Sequence, residues 1–454
     1  MINQCSKSPE DIFFLPVGDG NYFLYAPLRR VLSVINNAAV IAVYAFLEGG
    51  FDALNVDQKK VIDNLKASGL FTEPFPEPPV FPSDYEFKPY EVILFPTSRC
   101  NLRCTYCYAD AGRRNTELSW DAAQAAIDLV IKNACEIGLT DFQLGFHGGG
   151  EPTLAWDLLR RCADYALEEG QKRNLQARIY TASNGMLKQA QREYIGKYFT
   201  SINVSMDGPP DIQDQHRPRT DGSGSAAEVM ETLKYFEEIG FHFSIRATVT
   251  SGSVHRMSEM AAFFKSEFPS LEQLHVEPVW YCGRCLSSGE GPPAGSEFAR
   301  AFIAACETAN RLGLRLTYSG ARLDTLSNRF CAAPGGGFSV TPEGIASACF
   351  EVIESSDPRA EIFHYGYYDT ASNTYIFDEE RQKRLRGLSV DNIRYCRDCF
   401  CKWHCAGDCL AKAIHFEEER LHRGSDRCQI NREITLHHLK DMVTGYANKP
   451  ISID

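Results

Sequence analysis

The chain has 454 residues, of which 44% are apolar, so it can build two or three domains with hydrophobic cores of their own. Its 47 basic and 59 acidic residues give a net charge of −12, which disfavours a nucleic-acid partner because nucleic acids are polyanions. The apolar run at 38–47 is too short to cross a bilayer, and the first residues lack the pattern of a signal peptide. We therefore expect a cytoplasmic protein without a membrane partner.

Residues 1–73 predict a small module of the β3α type. Two short apolar runs flank the turn-forming residues 18–21, which is typical of a β-hairpin. A proline-rich linker follows at 74–89 and is expected to be extended. The predicted elements of the module are strands at 12–15, 22–25 and 32–35 and helices at 37–49 and 57–68.

Strand and helix patterns alternate through residues 90–324, which predicts a parallel sheet with helices on its outside. Six such units make a partial (β/α)6 TIM-like barrel, so the fold class is α/β. The predicted strands are 91–95, 141–146, 177–182, 201–205, 242–250 and 271–276, and the predicted helices are 119–137, 154–170, 187–198, 225–239 and 255–267.

Segments rich in cysteine, glycine and short polar residues follow the first four predicted strands. The carboxyl ends of parallel strands meet at one face, where α/β barrels build their active sites. We therefore expect these four segments to form one site. They are residues 97–108, 147–152, 183–185 and 205–208.

Cys100, Cys104 and Cys107 have the spacing C-x3-C-x2-C. Three thiolates can hold three irons of a cubane and leave the fourth iron open for chemistry, much as a catalytic zinc keeps an open position. A structural zinc site would need a fourth ligand nearby, but the next cysteine, Cys135, lies in a predicted helix. A zinc site or a chance spacing is the alternative.

The cysteine loop, the glycine motif at 149–152 and the six β-α units together resemble the radical S-adenosylmethionine (SAM) enzymes. The resemblance implies that a [4Fe–4S] cluster on the three cysteines binds SAM. One electron then cleaves SAM to methionine and a 5′-deoxyadenosyl radical, which abstracts a hydrogen atom from the substrate. The implied SAM contacts are Tyr106, Gly149, Gly150, Glu151, Asn184, Ser205, Asp207 and Arg246, with Arg217 as a weaker alternative to Arg246.

Residues 325–454 predict a third, irregular domain rich in cysteine. Seven of its cysteines have spacings that resemble the SPASM domain, which carries two auxiliary [4Fe–4S] clusters; a zinc ribbon is the alternative. With the SAM cluster, this implies three clusters. The implied ligands are Cys331, Cys349 and Cys409 for the first auxiliary cluster and Cys396, Cys399, Cys405 and Cys428 for the second, with Cys401 as a bystander.

The first auxiliary cluster departs from the fully ligated pattern, because residue 325 is Thr where such relatives have a further cysteine. Either Cys282, Cys285 or Cys306 completes this cluster, or one of its irons is open. An open iron would suit a substrate thiolate, since thiolate is the preferred ligand of iron–sulfur clusters.

The N-terminal module is similar to the PqqD-like (RRE-like) domains, which bind leader peptides of ribosomally made precursors as an added strand. An unrelated winged-helix-like cap is the alternative. Together, these resemblances predict a peptide maturase that forms a crosslink, and an open auxiliary iron favours a thioether. Its partners would be a precursor peptide and a reductant such as flavodoxin or ferredoxin. The alternatives are formylglycine formation, as in anaerobic sulfatase maturases, and a non-catalytic iron–sulfur electron carrier.

Overall fold

The computed structural model describes residues 6–7, 11–74, 76–79, 86–333, 337–413 and 426–447. The chain divides into two units. The terminal unit consists of Met1–Pro82, Ser319–Phe330 and Ser389–Asp454, and the barrel unit consists of Ser83–Tyr318 and Cys331–Leu388. The terminal unit therefore joins both ends of the chain, whereas the sequence suggested consecutive segments. Part of the predicted linker lies outside the described residues.

Strands and helices form along most of the described chain. The strands are β1 (Ser6–Lys7), β2 (Phe13–Gly18), β3 (Asn21–Ala26), β4 (Val31–Asn36), β5 (Glu91–Leu94), β6 (Asp141–Phe146), β7 (Gln176–Ser183), β8 (Ser201–Ser205), β9 (Phe243–Val249), β10 (Gln273–Pro278), β11 (Arg315–Thr317), β12 (Ser339–Val340), β13 (Ile345–Ser347), β14 (His364–Asp369) and β15 (Thr374–Phe377). The helices are α1 (Asn37–Gly49), α2 (Val56–Ala67), α3 (Trp120–Glu136), α4 (Trp156–Lys172), α5 (Gln189–Tyr198), α6 (Pro210–His216), α7 (Ala226–Glu238), α8 (Met257–Glu267), α9 (Cys285–Ser288), α10 (Gly295–Arg311), α11 (Ala360–Phe363), α12 (Glu379–Arg386), α13 (Lys402–Cys405), α14 (Leu410–Ala413) and α15 (Asp426–Ala447).

The terminal unit contains an antiparallel sheet in the order β1-β2-β3-β4, followed by α1 and α2. The predicted hairpin, third strand and two helices are all present. Asn36 caps α1 by accepting a hydrogen bond from the Ala39 amide (3.0 Å), and Asn55 with Gln58 forms a capping box at α2. These polar caps fix where each helix begins.

Both faces of this sheet are buried. Ile12, Phe14, Leu24 and Ala26 share one hydrophobic cluster with residues of α1 and α2. The alternate residues Phe13, Leu15, Phe23 and Tyr25 share another with Phe400, Cys401, Cys405 and Leu439. Because successive strand residues point to opposite faces, the sheet is a layer between its own helices and the cysteine-rich C-terminal segment. The N-terminal sheet and the C-terminal segment therefore share one hydrophobic core, whereas the size of the N-terminal module had suggested an independent unit.

The barrel unit is built on an eleven-stranded sheet in the order β11-β10-β9-β8-β7-β6-β5-β12-β13-β14-β15. Strands β5 to β10 are the six predicted strands, and they are parallel neighbours in chain order, so the predicted α/β architecture is confirmed. β11 extends the parallel row beside β10, and β12 pairs parallel with β5 before three antiparallel strands. The sequence did not predict β11 to β15 or the helices α6 and α10.

Side chains alternate along the barrel strands between an apolar and a polar set. In β9, Ile245 and Ala247 are fully buried, whereas Arg246 is exposed. On β8, Val204 faces α7, because a Cβ on Gly185 would lie between Val204 and Val229. The polar set therefore faces away from the helices, into the barrel. No described helix is long and apolar enough to span a bilayer.

Candidate active site

The cysteine loop that follows β5 is held by backbone hydrogen bonds from two sides. On one side, the Arg103 amide donates to the Pro218 carbonyl (2.7 Å) and the Thr105 amide donates to the carbonyl of residue 216 (2.9 Å). On the other side, the Arg284 guanidinium donates to the Cys104 carbonyl (2.9 Å), and the Arg284 amide donates to the Cys107 carbonyl (2.9 Å). These hydrogen bonds fix the backbone of the loop.

The thiols of this loop share one electrostatic environment. Burial raises the pKa of Cys100 to about 11, and Cys107 and Glu151 also raise it. Burial raises the pKa of Cys104 to about 12, against the opposing charge of Arg217, and both neighbouring cysteines add to the rise. The three sulfurs are thus within electrostatic range of one another, although the described residues contain no group of three such side chains already arranged as a metal site. The donor set fits an iron–sulfur cluster, since a bound metal would stabilise the thiolate forms that this environment disfavours.

The glycine turn after β6 has no room for side chains. A Cβ on Gly149 would lie 1.9 Å from the Ile353 Cδ1 atom, and one on Gly150 would lie 2.1 Å from the Arg99 carbonyl oxygen. The Glu151 amide donates to the same Arg99 carbonyl (2.7 Å), which joins the turn to the cysteine loop. Because these glycines have no side chains, the Ile353 side chain and the Arg99 backbone can pack directly against the turn.

Glu151 joins the loops after β6 and β7. Its buried carboxylate accepts hydrogen bonds from the Thr153 amide (3.2 Å) and hydroxyl (2.7 Å), the Ser183 hydroxyl (2.9 Å) and the Asn184 amide (2.7 Å). Burial raises its pKa, and these hydrogen bonds oppose the rise. The Asn184 side chain in turn donates to the Asn101 Oδ1 atom (2.7 Å) in the cysteine loop. Three strand-end segments thereby meet at Glu151 and Asn184.

Asp207 is the centre of a second buried network. Its carboxylate accepts from Arg217 (3.0 Å), the Thr248 amide (2.9 Å) and the Tyr106 hydroxyl, and it pairs with the His216 Nδ1 atom (3.3 Å). Burial alone would raise the pKa of Asp207, but the charge of Arg217 and the hydrogen bond from His216 hold it well below its usual range. Arg217 also lies 5.3 Å from the centre of the Tyr106 ring. Two candidates predicted as ligand contacts, Tyr106 and Asp207, are thus bonded to each other.

A row of polar residues crosses the inner face of the barrel. Ser205 is paired with Arg246, and Arg246 is paired with His275 on the next strand. The His275 Nε2 atom lies 3.0 Å from the Glu277 Oε1 atom, and its Nδ1 atom lies 3.2 Å from the Thr317 hydroxyl. Sequence reasoning missed His275 and Glu277, although polar residues two apart in an otherwise buried strand indicate an inner face.

The C-terminal cysteines are divided between the two units. Cys396, Cys399, Cys405 and Cys428 all belong to the terminal unit. Burial raises the pKa of Cys396 to about 12, and the charges of Cys399 and Cys428 add to the rise. Cys331 and Cys349 belong to the barrel unit and Cys409 to the terminal unit, so the first auxiliary ligand set stays a prediction.

The three cysteines considered as additional ligands differ in their surroundings. Cys285 is buried beside Tyr106, and its thiol donates to the Glu290 carbonyl (3.0 Å). Cys282 is half-buried in the turn that precedes α9, and Cys306 is buried in α10. Cys285 therefore lies near the cysteine loop that follows β5.

Residues 94–263 match the family model described as the radical SAM superfamily. An uncharacterized protein of Methanocaldococcus jannaschii is 28% identical over 174 residues, which are 38% of this chain and 57% of that protein. The cysteine-type anaerobic sulfatase-maturating enzyme of Clostridium perfringens is 23% identical over 199 residues, which are 42% of this chain and 53% of that enzyme. The matched segments span about half the length of these curated relatives.

Two solved structures share the fold. Native anSMEcpe with bound AdoMet and Cp18Cys peptide has a TM-score of 0.62 at 17% identity, covering 79% of this chain and 99% of that one. Streptococcus suis SuiB bound to precursor peptide SuiA has a TM-score of 0.52 at 16% identity, covering 92% of this chain and 98% of that one.

Proposed function

We propose that this radical SAM enzyme modifies a ribosomally made peptide by closing a thioether crosslink. Its radical SAM domain implies SAM and a [4Fe–4S] cluster. The observation that carries the proposal is the meeting of the cysteine loop, the glycine turn and the loops after β7 and β8 through Glu151 and Asp207. When bound and reduced, the cofactor pair supplies a 5′-deoxyadenosyl radical that removes a hydrogen atom from the peptide.

The residues present suit this cofactor pair. Cys100, Cys104 and Cys107 would hold the cluster. Gly149 and Gly150 would present backbone carbonyls to the methionine ammonium from a turn that Ile353 and the Arg99 backbone hold in place. The remaining contacts would be Tyr106 at the adenine, Asn184 and Ser205 at the ribose, and Arg246 at the methionine carboxylate.

Glu151 and Asp207 take a different role within this proposal. The oxygen atoms of both carboxylates already accept hydrogen bonds from the chain itself. We assign them as positioning residues, which hold the glycine turn, Asn184 and Tyr106 in place. A carboxylate oxygen accepts more than one hydrogen bond, so the Glu151 Oε2 atom can also face the ammonium.

The inner face of the barrel supplies a proton acceptor. Closing a thioether breaks a C–H and an S–H bond of the peptide and forms a C–S bond. The deoxyadenosyl group would take the hydrogen atom, an oxidised auxiliary [4Fe–4S] cluster would be the acceptor for one electron, and the pair His275 and Glu277 would accept the thiol proton. An imidazole and a carboxylate 3.0 Å apart can share that proton.

Two auxiliary clusters complete the proposal. Cys396, Cys399, Cys405 and Cys428 would ligate one, and Cys331, Cys349 and Cys409 would ligate the other. Either a further chain cysteine or the substrate thiolate would be the remaining ligand of the latter. Thiolate affinity for iron is the reason that an open position favours a thioether over other crosslinks.

The edge of the N-terminal sheet offers a place for the leader peptide. β4 is the last strand in the sheet order, and α1 follows it directly. Val34 on β4 and Ile41 on α1 are 51% and 54% exposed, which suits apolar leader side chains. A likeness in fold to SuiB, solved with its precursor peptide, supports this assignment.

The second candidate is oxidation of a cysteine or serine to formylglycine, which the similarity to the sulfatase-maturating enzyme favours. Thioether closure removes two hydrogens from the peptide, and so does oxidation of serine. Conversion of cysteine to formylglycine removes two hydrogens and then exchanges the sulfur for an oxygen from water, with release of sulfide. The two candidate functions differ in the product, because formylglycine is an aldehyde and a thioether is not.

Mass spectrometry of a cysteine-containing precursor peptide tests the proposal. Reconstituted protein, SAM and flavodoxin or ferredoxin as the reductant are expected to give a product lighter by two hydrogens, whose cysteine no longer reacts with iodoacetamide. Reaction with a hydrazide would identify formylglycine instead. Replacing Cys100, Cys104 and Cys107 by Ala should abolish SAM cleavage, whereas Cys135→Ala, at an exposed helical position, should not. SAM cleavage by the triple variant would contradict the proposal.

A further inference from the structure

The Tyr108 side chain touches two segments of the barrel unit that are far apart in sequence. Its hydroxyl lies 2.9 Å from the Gly148 carbonyl oxygen and 3.2 Å from the Phe350 carbonyl oxygen. Tyr108 directly follows Cys107, and Phe350 directly follows Cys349. One side chain thus joins the cysteine loop, the glycine turn and the Cys349 segment.

The glycine turn and the Cys349 segment are also packed tightly together. The His147 ring centre lies 5.2 Å from that of Phe350, with the planes 32° apart. The Ile353 Cδ1 atom occupies the space that a Cβ on Gly149 would need. Because close-packed groups transmit small displacements, the Cys349 segment cannot shift without moving the glycine turn.

The Tyr108 hydroxyl has one hydrogen and faces two carbonyl acceptors. A stronger bond to one acceptor therefore weakens the bond to the other. The Gly148 carbonyl belongs to the turn that the proposed function assigns to the methionine ammonium. An ammonium group that binds at this turn draws electron density from the Gly148 carbonyl oxygen and makes it a weaker acceptor. The Tyr108 hydroxyl hydrogen then shifts toward the Phe350 carbonyl oxygen.

We infer that Tyr108 is a positioning residue that couples SAM binding at the glycine turn to the metal site at Cys349. The inference rests on the proposed function for the identity of both ligands. Coupling between two sites is reciprocal: loss of the metal ligand Cys349 must weaken SAM binding, and SAM must alter the metal site.

A double-mutant cycle on full-length, reconstituted protein tests this coupling. The dissociation constant of SAM is measured by EPR titration of the reduced cluster for wild type, Tyr108→Phe, Cys349→Ala and the double variant. We expect Cys349→Ala to weaken SAM binding at least about fivefold in the wild-type background and less than about twofold in the Tyr108→Phe background. Equal effects in both backgrounds, or no effect of Cys349→Ala in the wild type, would overturn the inference.

The matched control is Tyr165→Phe. Tyr165 is a tyrosine of the same unit whose hydroxyl donates to Asp128 (2.6 Å), between α3 and α4 and away from the site. In that background Cys349→Ala should keep its full effect. Failure of the wild type to bind SAM would instead contradict the proposed function.

If Tyr108→Phe does not load iron, the coupling can be measured in the reverse direction on the wild type. SAM added to the wild type should change the EPR spectrum of the cluster bound by Cys349, identified as the signal that Cys349→Ala removes. An unchanged spectrum would overturn the coupling.

Discussion

Asp207 shows how a single buried carboxylate organises the loops that surround it. It is fully buried, and its partners come from the cysteine loop, the segment after β8 and strand β9. Burying a charge is costly unless it is paired and hydrogen-bonded. Asp207 meets both conditions through Arg217 and the Thr248 amide, so its charge stabilises this one arrangement of the loops.

Replacing Asp207 by Asn should destabilise the protein by about 3–5 kcal/mol, because it leaves the Arg217 charge buried without its counter-charge. Urea unfolding measures the change. The exposed pair of Asp211 with Arg256 is the matched control, and Asp211→Asn should cost less than about 1 kcal/mol. Similar losses for both variants would show that burial of the Asp207 charge is unimportant.

The same residue predicts a dependence of stability on pH. The pKa of Asp207 in the folded protein lies below its usual value, so its stabilisation is present above the unfolded pKa of about 3.9 and is lost as the pH falls. In Asp207→Asn this contribution is absent at every pH. The stability difference between wild type and variant should therefore shrink on acidification, as measured by urea unfolding at several pH values.

Glu151→Gln should weaken SAM binding and cost about 1–3 kcal/mol of stability. The new amide group would face one of the donors that now point at the carboxylate, so a buried hydrogen bond is lost. SAM titration and urea unfolding measure the two effects. The control is Glu193→Gln on the surface of α5, where the carboxylate accepts a hydrogen bond from the Gln189 side-chain amide (2.7 Å), and it should stay within about 0.5 kcal/mol of the wild type.

Short motifs were sufficient to predict which loops meet, but not which hydrogen bonds join them. The cysteine spacing and the glycine turn are local signals, and both segments lie at the carboxyl ends of neighbouring strands as predicted. The bonds that Glu151 and Asp207 make join loops 33 and 101 residues apart in sequence. Such contacts depend on how the strands are registered, which no local pattern encodes.

At the scale of elements, the glycine turn is defined by backbone rather than by side chains. Gly150→Ala would place a Cβ 2.1 Å from the Arg99 carbonyl oxygen, a backbone atom that cannot rotate away. We expect the turn to move, SAM binding to be lost, and stability to fall by about 1–3 kcal/mol. Gly291→Ala is the control, since a Cβ there meets no atom within 4 Å. Normal SAM binding by Gly150→Ala would contradict this interpretation of the turn.

The six barrel strands could be predicted because strand patterns alternate with helix patterns along this part of the chain. In β6 and β8 the predicted bounds agree with the structure at both ends. β11, β12 and β13 were missed, because two or three residues are too short to show a period. Their pairing comes from neighbouring strands, as with β12 beside β5.

At the scale of the molecule, the N-terminal sheet and the C-terminal cysteines share one core. Phe23→Ala should cost about 3–5 kcal/mol and lower the iron content of the reconstituted protein, because Phe23 packs in the hydrophobic cluster that contains Cys405, a proposed iron–sulfur ligand. Iron content and thermal unfolding measure both effects. Val34→Ala, at a 51% exposed position of the same sheet, should leave both unchanged. Full iron occupancy in Phe23→Ala would argue against a joint core.

The sequence did contain a signal for this arrangement. Residues 13–15 and 22–25 are continuous apolar runs, and such runs are typical of strands buried on both faces. One face is covered by α1 and α2, which follow directly. The cover of the second face lies more than 300 residues further along the chain, and local patterns cannot identify a partner at that distance.

The composition of the terminal unit constrains how the nascent chain matures. Met1–Pro82 leaves the ribosome long before Ser389–Asp454, and at about 5–20 residues per second roughly 15 to 60 s separate the two. During that interval one face of the N-terminal sheet is uncovered. Its aromatic side chains Phe13, Phe23 and Tyr25 are then exposed to chaperones or to other unfinished chains. The synthesis of the last segment, which contains Cys405, is therefore also the step that completes the cover of the first strands.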